Sequence, residues 1–408
     1  MTAREYPVFT VTPKAERSLR AGHPWVYGEE VTAVEGAYQN GDMVDVVSNK
    51  GRYLGTGWVN DHSKIRVRII SRNANDTFDE AFFRRRVCYA LNYRKTVMGP
   101  VDYRCCRLIF GEADQFPGLT VDRFENILVT QVLSLGMERR KDWVYRALVE
   151  LLREDGDQID AIYERNDVAI RTLEGLEQGK GFYQMEGLKT DLSGHVTITE
   201  NRIKYDVDYM EGQKTGFFLD QKYNRQAAAK LARGRRVLDC FTHTGAFALN
   251  AAAAGAEHVT AVDVSAFALE LAAENGKRNG LTNLDYKCAD VFDLLTEMAK
   301  EKKCDYDYII LDPPAFTKSR ATAKNAYHGY KEINRKAMRL LPRGGYLATC
   351  SCSHFMTDEM FRKMLQEAAL DAGVTLRQIE ARQQAPDHPI LPEVPETDYL
   401  KFYLLQVV

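Results

Sequence analysis

The 408-residue sequence has no long hydrophobic run and no cysteine framework. No stretch of 18 or more uncharged apolar residues occurs, so we expect no transmembrane helix. The start, Met1 to Pro7, lacks the apolar core of a signal peptide. The eight cysteines show neither disulfide-framework nor zinc-site spacing. These absences predict a cytoplasmic protein with free thiols and no metal.

An excess of basic residues is also missing. The 55 Lys and Arg residues and 57 Asp and Glu residues give a net charge of −2, whereas a dedicated polyanion-binding protein is usually basic. Global charge therefore gives nucleic acid binding no support, and any such binding must depend on local patches. One patch lies between Ala81 and Ile109, where seven basic residues accompany one acidic residue.

Three blocks are predicted along the chain. Residues 1–73 form short strands broken by glycines, which indicates a small β-rich domain. Residues 74–192 begin with a helix and continue with strands, which indicates an α+β domain. Residues 193–408 alternate strands with helices, as in a parallel doubly wound α/β sheet. Two final strands without a helix between them predict a closing hairpin, so that the last of seven strands is antiparallel.

The loop after the first strand of the third block contains a single glycine, Gly245. It lacks the G-x-G-x-x-G fingerprint that brings backbone against a pyrophosphate. This absence disfavours NAD, FAD and a nicotinamide oxidoreductase. One glycine still lets a small, non-phosphorylated nucleoside lie against the loop.

Acidic residues follow four successive strands of this block: Asp239, Asp263, Asp290 and Asp312. Parallel strands end at one edge of a sheet, where ligands bind. An aspartate after a strand is often only an N-cap, but four together favour a ligand site. A carboxylate such as Asp263 can accept hydrogen bonds from both ribose hydroxyls, and Asp290 can reach an adenine amino group.

These motifs, D-C-F-T-H-T-G-A-F (239–247), V-D-V-S (262–265), C-A-D-V-F (288–292) and D-P-P-A-F (312–316), resemble class I S-adenosylmethionine-dependent methyltransferases. G-Q-K-T-G-F-F-L-D-Q (212–221) and the stretch 110–123 resemble RlmI-like rRNA cytosine-C5 methyltransferases. R-A-G-H-P-W-V-Y (20–27) with I-R-V-R (65–68) resembles that family's PUA RNA-binding module. The resemblance implies a Rossmann-like sheet and S-adenosylmethionine as the cofactor. It also implies large-subunit (23S) rRNA, naked or partly assembled into the subunit, as the partner. A homodimer is compatible with the resemblance.

The resemblance and the strand-end positions together give two sets of candidate binding residues. The cofactor set is Lys214, Thr215, Gly216, Asp220, Asp239, Phe241, Thr244, Gly245, Asp263, Asp290 and Asp312. The RNA-binding set is Lys14, Arg17, Arg20, Arg66, Arg68, Arg84, Arg85 and Arg94. Scattered basic residues more often form a solvated face than an RNA site.

Two cysteines, Cys350 and Cys352, end the fifth strand of the sheet on one face. Cys352 is nearer the carboxyl end and lies seven residues after Gly345, the spacing of the family's catalytic cysteine. The resemblance implies that its thiolate adds to C6 of cytosine, while Asp312 holds N3 and the 4-amino group. The alternative to a catalytic role is structural: both cysteines would then be small, buried side chains that only fill space in the core.

Two other functions stay open at this point. Methylation of a guanine or adenine nitrogen would leave Cys352 structural, although Ala315 stands where amino-methyltransferases carry an aromatic residue after D-P-P. A non-catalytic RNA-binding assembly factor would keep the fold without binding S-adenosylmethionine. The four strand-end carboxylates argue against this second alternative.

Overall fold

A computed structural model describes residues 5–301, 304–317 and 322–408. The chain divides into two compact units. The first comprises Met1–Ile198, Val207–Leu219 and Pro386–Thr397, and the second comprises Thr199–Asp206, Asp220–Ala385 and Asp398–Val408. The division into three domains expected from the sequence, with its two boundaries, stays a prediction.

The first unit begins with a six-stranded sheet in the order β2-β6-β5-β4-β1-β3. A helix capped by the Thr12 hydroxyl packs beside it, with Ala15 and Leu19 buried. The elements are β1 (Val8–Val11), α1 (Pro13–Arg20), β2 (Trp25–Tyr27), β3 (Val31–Glu35), β4 (Met43–Ser48), β5 (Tyr53–Val59) and β6 (Ile65–Ser71). This sheet fits the expected β-rich domain.

A five-stranded sheet follows in the order β11-β10-β9-β8-β7. Helices α2 and α4 belong to the same part of the chain. The elements are α2 (Glu80–Val97), β7 (Cys105–Phe110), β8 (Leu119–Phe124), β9 (Ile127–Val132), α3 (Leu135–Glu138), α4 (Lys141–Glu154), β10 (Ala161–Arg165) and β11 (Lys180–Phe182). An antiparallel pair, β12 (His195–Glu200) and β13 (Ile203–Asp208), comes next.

The second unit contains a seven-stranded sheet in the order β16-β15-β14-β17-β18-β20-β19. Its elements are α5 (Lys222–Ala229), β14 (Arg236–Cys240), α6 (Ala246–Ala253), β15 (His258–Asp263), α7 (Ala266–Arg278), β16 (Leu284–Cys288), α8 (Val291–Glu301), β17 (Tyr308–Leu311), α9 (Ala323–Leu340), β18 (Tyr346–Ser351), α10 (Asp358–Ala372), β19 (Leu376–Arg382) and β20 (Lys401–Val407). The last strand, β20, runs antiparallel to both neighbours. The predicted α/β fold class is confirmed.

The strand order creates a switch point between β14 and β17. The chain runs outward from β14 through β15 to β16, then crosses to β17 on the other side. Strand β17 is buried along its whole length, as expected for a parallel strand covered on both faces. Ligands of such sheets bind at the carboxyl ends of the strands beside the switch point, where Asp239 and Asp312 lie.

Within the described ranges, no helix is both long and apolar enough to cross a membrane. The same residues bring no three His, Cys, Asp or Glu side chains into an arrangement that could hold a metal ion.

Candidate active site

Asp239 is fully buried in β14 and supports the loop that follows. Its Oδ2 accepts a hydrogen bond from the Thr242 hydroxyl at 2.5 Å and another from the Ala248 backbone N–H at 2.9 Å. Its Oδ1 is buried and has no hydrogen-bond partner among the described residues. Burial raises the pKa of Asp239 to about 7. A buried acceptor of this kind suits a ligand that carries N–H groups or positive charge.

The loop between β14 and α6 has an uncommon backbone. Phe241 and His243 have φ angles of 63° and 51°, a left-handed conformation that residues other than glycine rarely adopt. Gly245 has φ of 83°, and a Cβ there would lie 2.9 Å from the Cβ of Ala272. The Thr244 hydroxyl is 3.4 Å from Nδ1 of His243. Strained backbone held by close packing is typical of ligand-binding loops.

Asp263 and Asp290 both accept hydrogen bonds from backbone N–H groups of the loops and helix near the strand ends. Asp263 accepts from Ser265 at 2.9 Å through Oδ1 and from His243 at 2.8 Å through Oδ2. An ionised carboxylate offers about four lone-pair positions, so it keeps capacity for two ribose hydroxyls. Exposed Asp290 accepts from two N–H groups of α8 at 2.8 and 3.2 Å. Capping and ligand binding are therefore compatible at both residues.

Asp312 follows β17 and is held by an amide relay. Its Oδ1 accepts a hydrogen bond from Nε2 of Gln221 at 3.1 Å, and Oε1 of Gln221 accepts one from Asn224 at 2.8 Å. Asp312 keeps some exposed surface, but its surroundings desolvate the carboxyl group. That desolvation, together with the charge of Asp220, raises its pKa to about 6. Asp220 itself accepts a hydrogen bond from the Tyr399 hydroxyl at 2.6 Å.

The sequence interpretation did not find this relay, since α5 was not predicted. In the sequence, Gln221 only ends the stretch 212–221 that resembles RlmI-like proteins. The i, i+3 spacing of Gln221 and Asn224 places both on one side of a helical turn. That spacing is the sequence signal from which the contact between the two amide side chains could have been predicted.

The two cysteines at the end of β18 differ in environment. Cys350 lies within the strand and is fully buried. Burial, and next the charge of Asp312, raises the pKa of its thiol well above the usual range. Cys352 comes directly after the strand and is partly exposed. Reactive thiols need access and a thiolate-favouring environment, so these differences support Cys352 as the candidate nucleophile.

Lys214, Thr215 and Gly216 belong to the first unit. The Thr215 hydroxyl is buried and donates to Oδ2 of Asp122 at 2.6 Å. Lys214 and Gly216 have φ of 56° and 120°. The structure gives Thr215 an anchoring role in this segment, and contact of these three residues with the cofactor stays a prediction.

Two of the expected RNA-binding arginines are buried in ion pairs. Arg94 has no exposed surface and binds Asp114 through two hydrogen bonds of 2.5 and 2.7 Å. Arg68 binds Glu174 at 2.5 Å, and its side chain is 10% exposed. Their guanidinium groups are already neutralised and covered. Burial and ion pairing argue against contact of Arg68 and Arg94 with RNA, and their place in the RNA-binding set stays a prediction.

The other basic candidates keep accessible surface to different degrees. Arg84 and Arg66 are half-buried, with Arg84 bonded to two glutamates of α4 at 2.8 Å and Arg66 to Asp61 at 2.7 Å. The exposed members of the set are Lys14, Arg17, Arg20 and Arg85. Their contact with RNA stays a prediction.

Comparison with known proteins bears on both units. Residues 183–405 match the family described as S-adenosylmethionine-dependent methyltransferase. The chain belongs to this methyltransferase family. Residues 9–72 match a PUA-like domain, so the expected PUA domain, methyltransferase sheet and S-adenosylmethionine cofactor are all confirmed.

Similar proteins match over almost the whole chain. A protein named ribosomal RNA large subunit methyltransferase I from Pseudoalteromonas atlantica is 40% identical, with 98% of this chain and 99% of that protein covered. Its namesake from Aeromonas salmonicida is 41% identical, with 95% and 96% covered. The expected likeness to RlmI-like proteins is confirmed. A putative methyltransferase structure from Streptococcus mutans, 22% identical, shares the fold with a TM-score of 0.81 over 98% of this chain and 100% of that chain.

The strand-end residues of this methyltransferase fit its cofactor. S-adenosylmethionine has a ribose diol, for which Asp263 retains acceptor capacity. It carries an ammonium and a sulfonium group, which suit the buried unpartnered Oδ1 of Asp239. It has no phosphate, which agrees with a loop that contains Gly245 but no further glycine of a phosphate-binding fingerprint.

Proposed function

We propose that this protein transfers a methyl group from S-adenosylmethionine to carbon 5 of a cytosine in large-subunit (23S) rRNA. The curated relatives carry the rRNA large subunit in their name. The base and atom are supported by one observation: an accessible Cys352 and a carboxyl group with a raised pKa, Asp312, follow adjacent strands. Strands β17 and β18 run parallel, with Leu311 beside Thr349, so both side chains belong to one edge of the sheet.

Covalent attack makes carbon 5 reactive. The Cys352 thiolate forms a bond to C6 and pushes an electron pair onto C5, which then behaves as an enamine carbon. The cofactor supplies, when bound, an electrophilic methyl group on sulfur. Once C5 carries the methyl group, its proton leaves to a base, the C6–S bond breaks, and the electron pair returns to the sulfur. The aromatic ring and the Cys352 thiolate are restored.

Asp312 stabilises the charge that this attack places on the base. With a pKa of about 6, its carboxyl group can share a proton with N3 near neutral pH. Its other oxygen accepts from the 4-amino group of cytosine. The Gln221 amide occupies Oδ1 of Asp312 and thereby limits rotation of the carboxyl group. A group acts best as an acid–base catalyst when its pKa is near the working pH.

RNA docking is assigned to the PUA-like domain and the exposed basic residues. Lys14, Arg17, Arg20 and Arg85 would contact phosphates and 2′-hydroxyls, which position RNA without reading its sequence. The target base must leave its stack to meet Cys352. The substrate is naked or partly assembled large subunit, which places the protein in the cytoplasm.

Replacement of Cys352 by alanine tests the proposal, with Cys350→Ala as the matched control. Each variant is given labelled S-adenosylmethionine and rRNA from cells that lack the protein, and bisulfite sequencing locates the product. We expect Cys352→Ala to lose at least about 10³-fold in methyl transfer, since a nucleophile has no substitute. Cys350→Ala should stay within about tenfold, because its thiol is buried and protonated.

Three results would contradict the proposal. Wild-type rates in Cys352→Ala would reject the covalent mechanism. Label recovered in a guanine or adenine nucleoside, with no bisulfite-resistant cytosine, would favour the nitrogen methyltransferase. Failure to bind S-adenosylmethionine in calorimetry would favour the assembly factor.

A further inference from the structure

Lys401 lies beside the segment that carries the candidate nucleophile. It begins β20, where it pairs with Ser351, the last residue of β18. Its side chain is buried, with 4% of its surface exposed. Nζ donates hydrogen bonds to the carbonyl oxygens of Ser353 at 2.6 Å and Tyr399 at 2.8 Å. The ammonium group is therefore tied to the carbonyl oxygen of Ser353, the residue that directly follows Cys352.

This ammonium group has no carboxylate within ion-pairing distance in the described part of the chain. Elsewhere in the same unit, buried Arg225 is paired with Glu200 at 2.6 Å. Burial lowers the pKa of Lys401 to about 8, while the charges of Asp398, Cys352 and Asp358 act in the opposite direction. The group is still mostly protonated at pH 7. A buried charge without an ion-pair partner is costly and calls for a functional reason.

We propose that Lys401 is a positioning residue that holds Cys352 as a thiolate. This inference rests on the proposed function, in which Cys352 attacks C6 of cytosine. The thiol proton leaves to solvent, and the negative sulfur then lies near the fixed positive charge of Lys401. Nearby cations lower the pKa of cysteine thiols in this way. When sulfur bonds to C6, its negative charge moves to the base, and the lysine remains on its two carbonyl oxygens.

Among the described residues, the other titratable groups around Cys352 and Lys401 are Cys350, Tyr330, His354, Asp312, Asp358 and Asp398. Burial raises the pKa of Cys350 and of Tyr330, so both are neutral near pH 7. Asp358 and Asp398 act on Lys401 and favour its charged form. Among these groups Lys401 supplies the positive charge, and His354 is examined by its own variant.

The rate at which iodoacetamide alkylates Cys352, followed across pH, tests the inference without RNA or cofactor. Peptide mass spectrometry separates Cys352 from the other seven cysteines. We expect the wild-type midpoint below the ordinary thiol value of about 8.5. Lys401→Met and Lys401→Gln should each lower the rate at pH 7 about tenfold, one pKa unit. Lys401→Arg keeps the charge and should stay within about threefold of wild type.

Two further variants serve as controls. Lys336→Met removes another largely buried lysine, whose Nζ donates to the Thr296 hydroxyl at 2.6 Å, and His354→Ala removes the imidazole. Both should leave the Cys352 midpoint unchanged.

An ordinary wild-type midpoint would overturn the inference whether or not the neutral variants fold. So would wild-type alkylation in a folded Lys401→Met or Lys401→Gln, or a midpoint that moves in His354→Ala alone. Because alkylation reports only on the thiol, this failure is separate from failure of cytosine methylation in Cys352→Ala.

Discussion

Replacement of Asp239 by asparagine is expected to stabilise the protein at alkaline pH and to weaken S-adenosylmethionine binding. The buried carboxyl group must ionise to serve a cationic ligand, and burial opposes that ionisation. The amide of asparagine can still accept the hydrogen bonds of Thr242 and Ala248 through its oxygen. It never becomes charged, so the cost of a buried charge disappears.

The raised pKa of Asp239 sets the magnitude and the pH window. The carboxyl group titrates near 3.9 in an unfolded chain and at about 7 in the folded protein. Between these values the folded state holds the extra proton, so wild-type stability decreases as pH rises. The full effect is about 4 kcal/mol above pH 8, and about 3 kcal/mol of it falls between pH 5 and pH 8. At about 2–4 °C per kcal/mol, the melting temperature of Asp239→Asn relative to wild type should rise by roughly 5–10 °C over that interval.

Scanning calorimetry of the cofactor-free protein at pH 5 and pH 8 measures this effect. Asp290→Asn is the control, because that carboxyl group is exposed and asparagine is an equally good N-cap. Its melting temperature should match wild type at both pH values. Titration with S-adenosylmethionine should show at least tenfold weaker binding by Asp239→Asn. An equal change in melting temperature at pH 5 and pH 8 would refute the buried-charge reasoning.

Three other substitutions have separate readouts. Gly245→Ala puts a Cβ 2.9 Å from the Cβ of Ala272 at a φ of 83°. Calorimetry should therefore show that the folded variant binds the cofactor more than tenfold more weakly than wild type. Wild-type affinity would mean that this loop is not part of the cofactor site. Arg94→Met leaves Asp114 buried without its ion-pair partner, and denaturant unfolding should show a loss of about 3–5 kcal/mol; a neutral effect would mean that the pair is dispensable. Arg85→Ala should change stability by less than about 0.5 kcal/mol but reduce the salt dependence of RNA affinity by about one unit of log–log slope; an unchanged slope would exclude Arg85 from the RNA-binding set.

Elements with local signals were predictable from the sequence. The sequence pattern predicts a strand over 258–263 and a helix over 358–372, and the structure has His258–Asp263 and Asp358–Ala372. A serine just before a helical pattern predicts an N-cap, and the Ser265 hydroxyl accepts from the Ala268 N–H at 3.2 Å at the start of α7. Hydrophobic period and capping depend on residues a few positions apart. That is why the sheet and its strand-end carboxylates could be inferred from the sequence.

Ion pairs between distant positions were not predictable. A count of basic residues around Arg94 includes a guanidinium that Asp114, twenty positions later, neutralises. Arg68 and Glu174 are separated by 106 positions. The density of basic residues along a stretch of sequence does not give the charge of the protein surface, because the fold decides which acidic residue each basic residue pairs with. The RNA-binding set stays a prediction, and burial argues most strongly against Arg68 and Arg94.

The candidate site also contains a feature that depends on burial rather than on residue type. Burial raises the pKa of Asp312 to about 6 and lowers that of Lys401 to about 8. The pKa values of a carboxyl group and an ammonium group, which ordinarily lie several units apart, are thus shifted to just below and just above pH 7. Cytosine-C5 transfer needs a proton donor for the base and a thiolate at the same pH. Methylation of an exocyclic nitrogen needs no thiolate, so a buried Lys401 next to the Cys352 segment favours the covalent route.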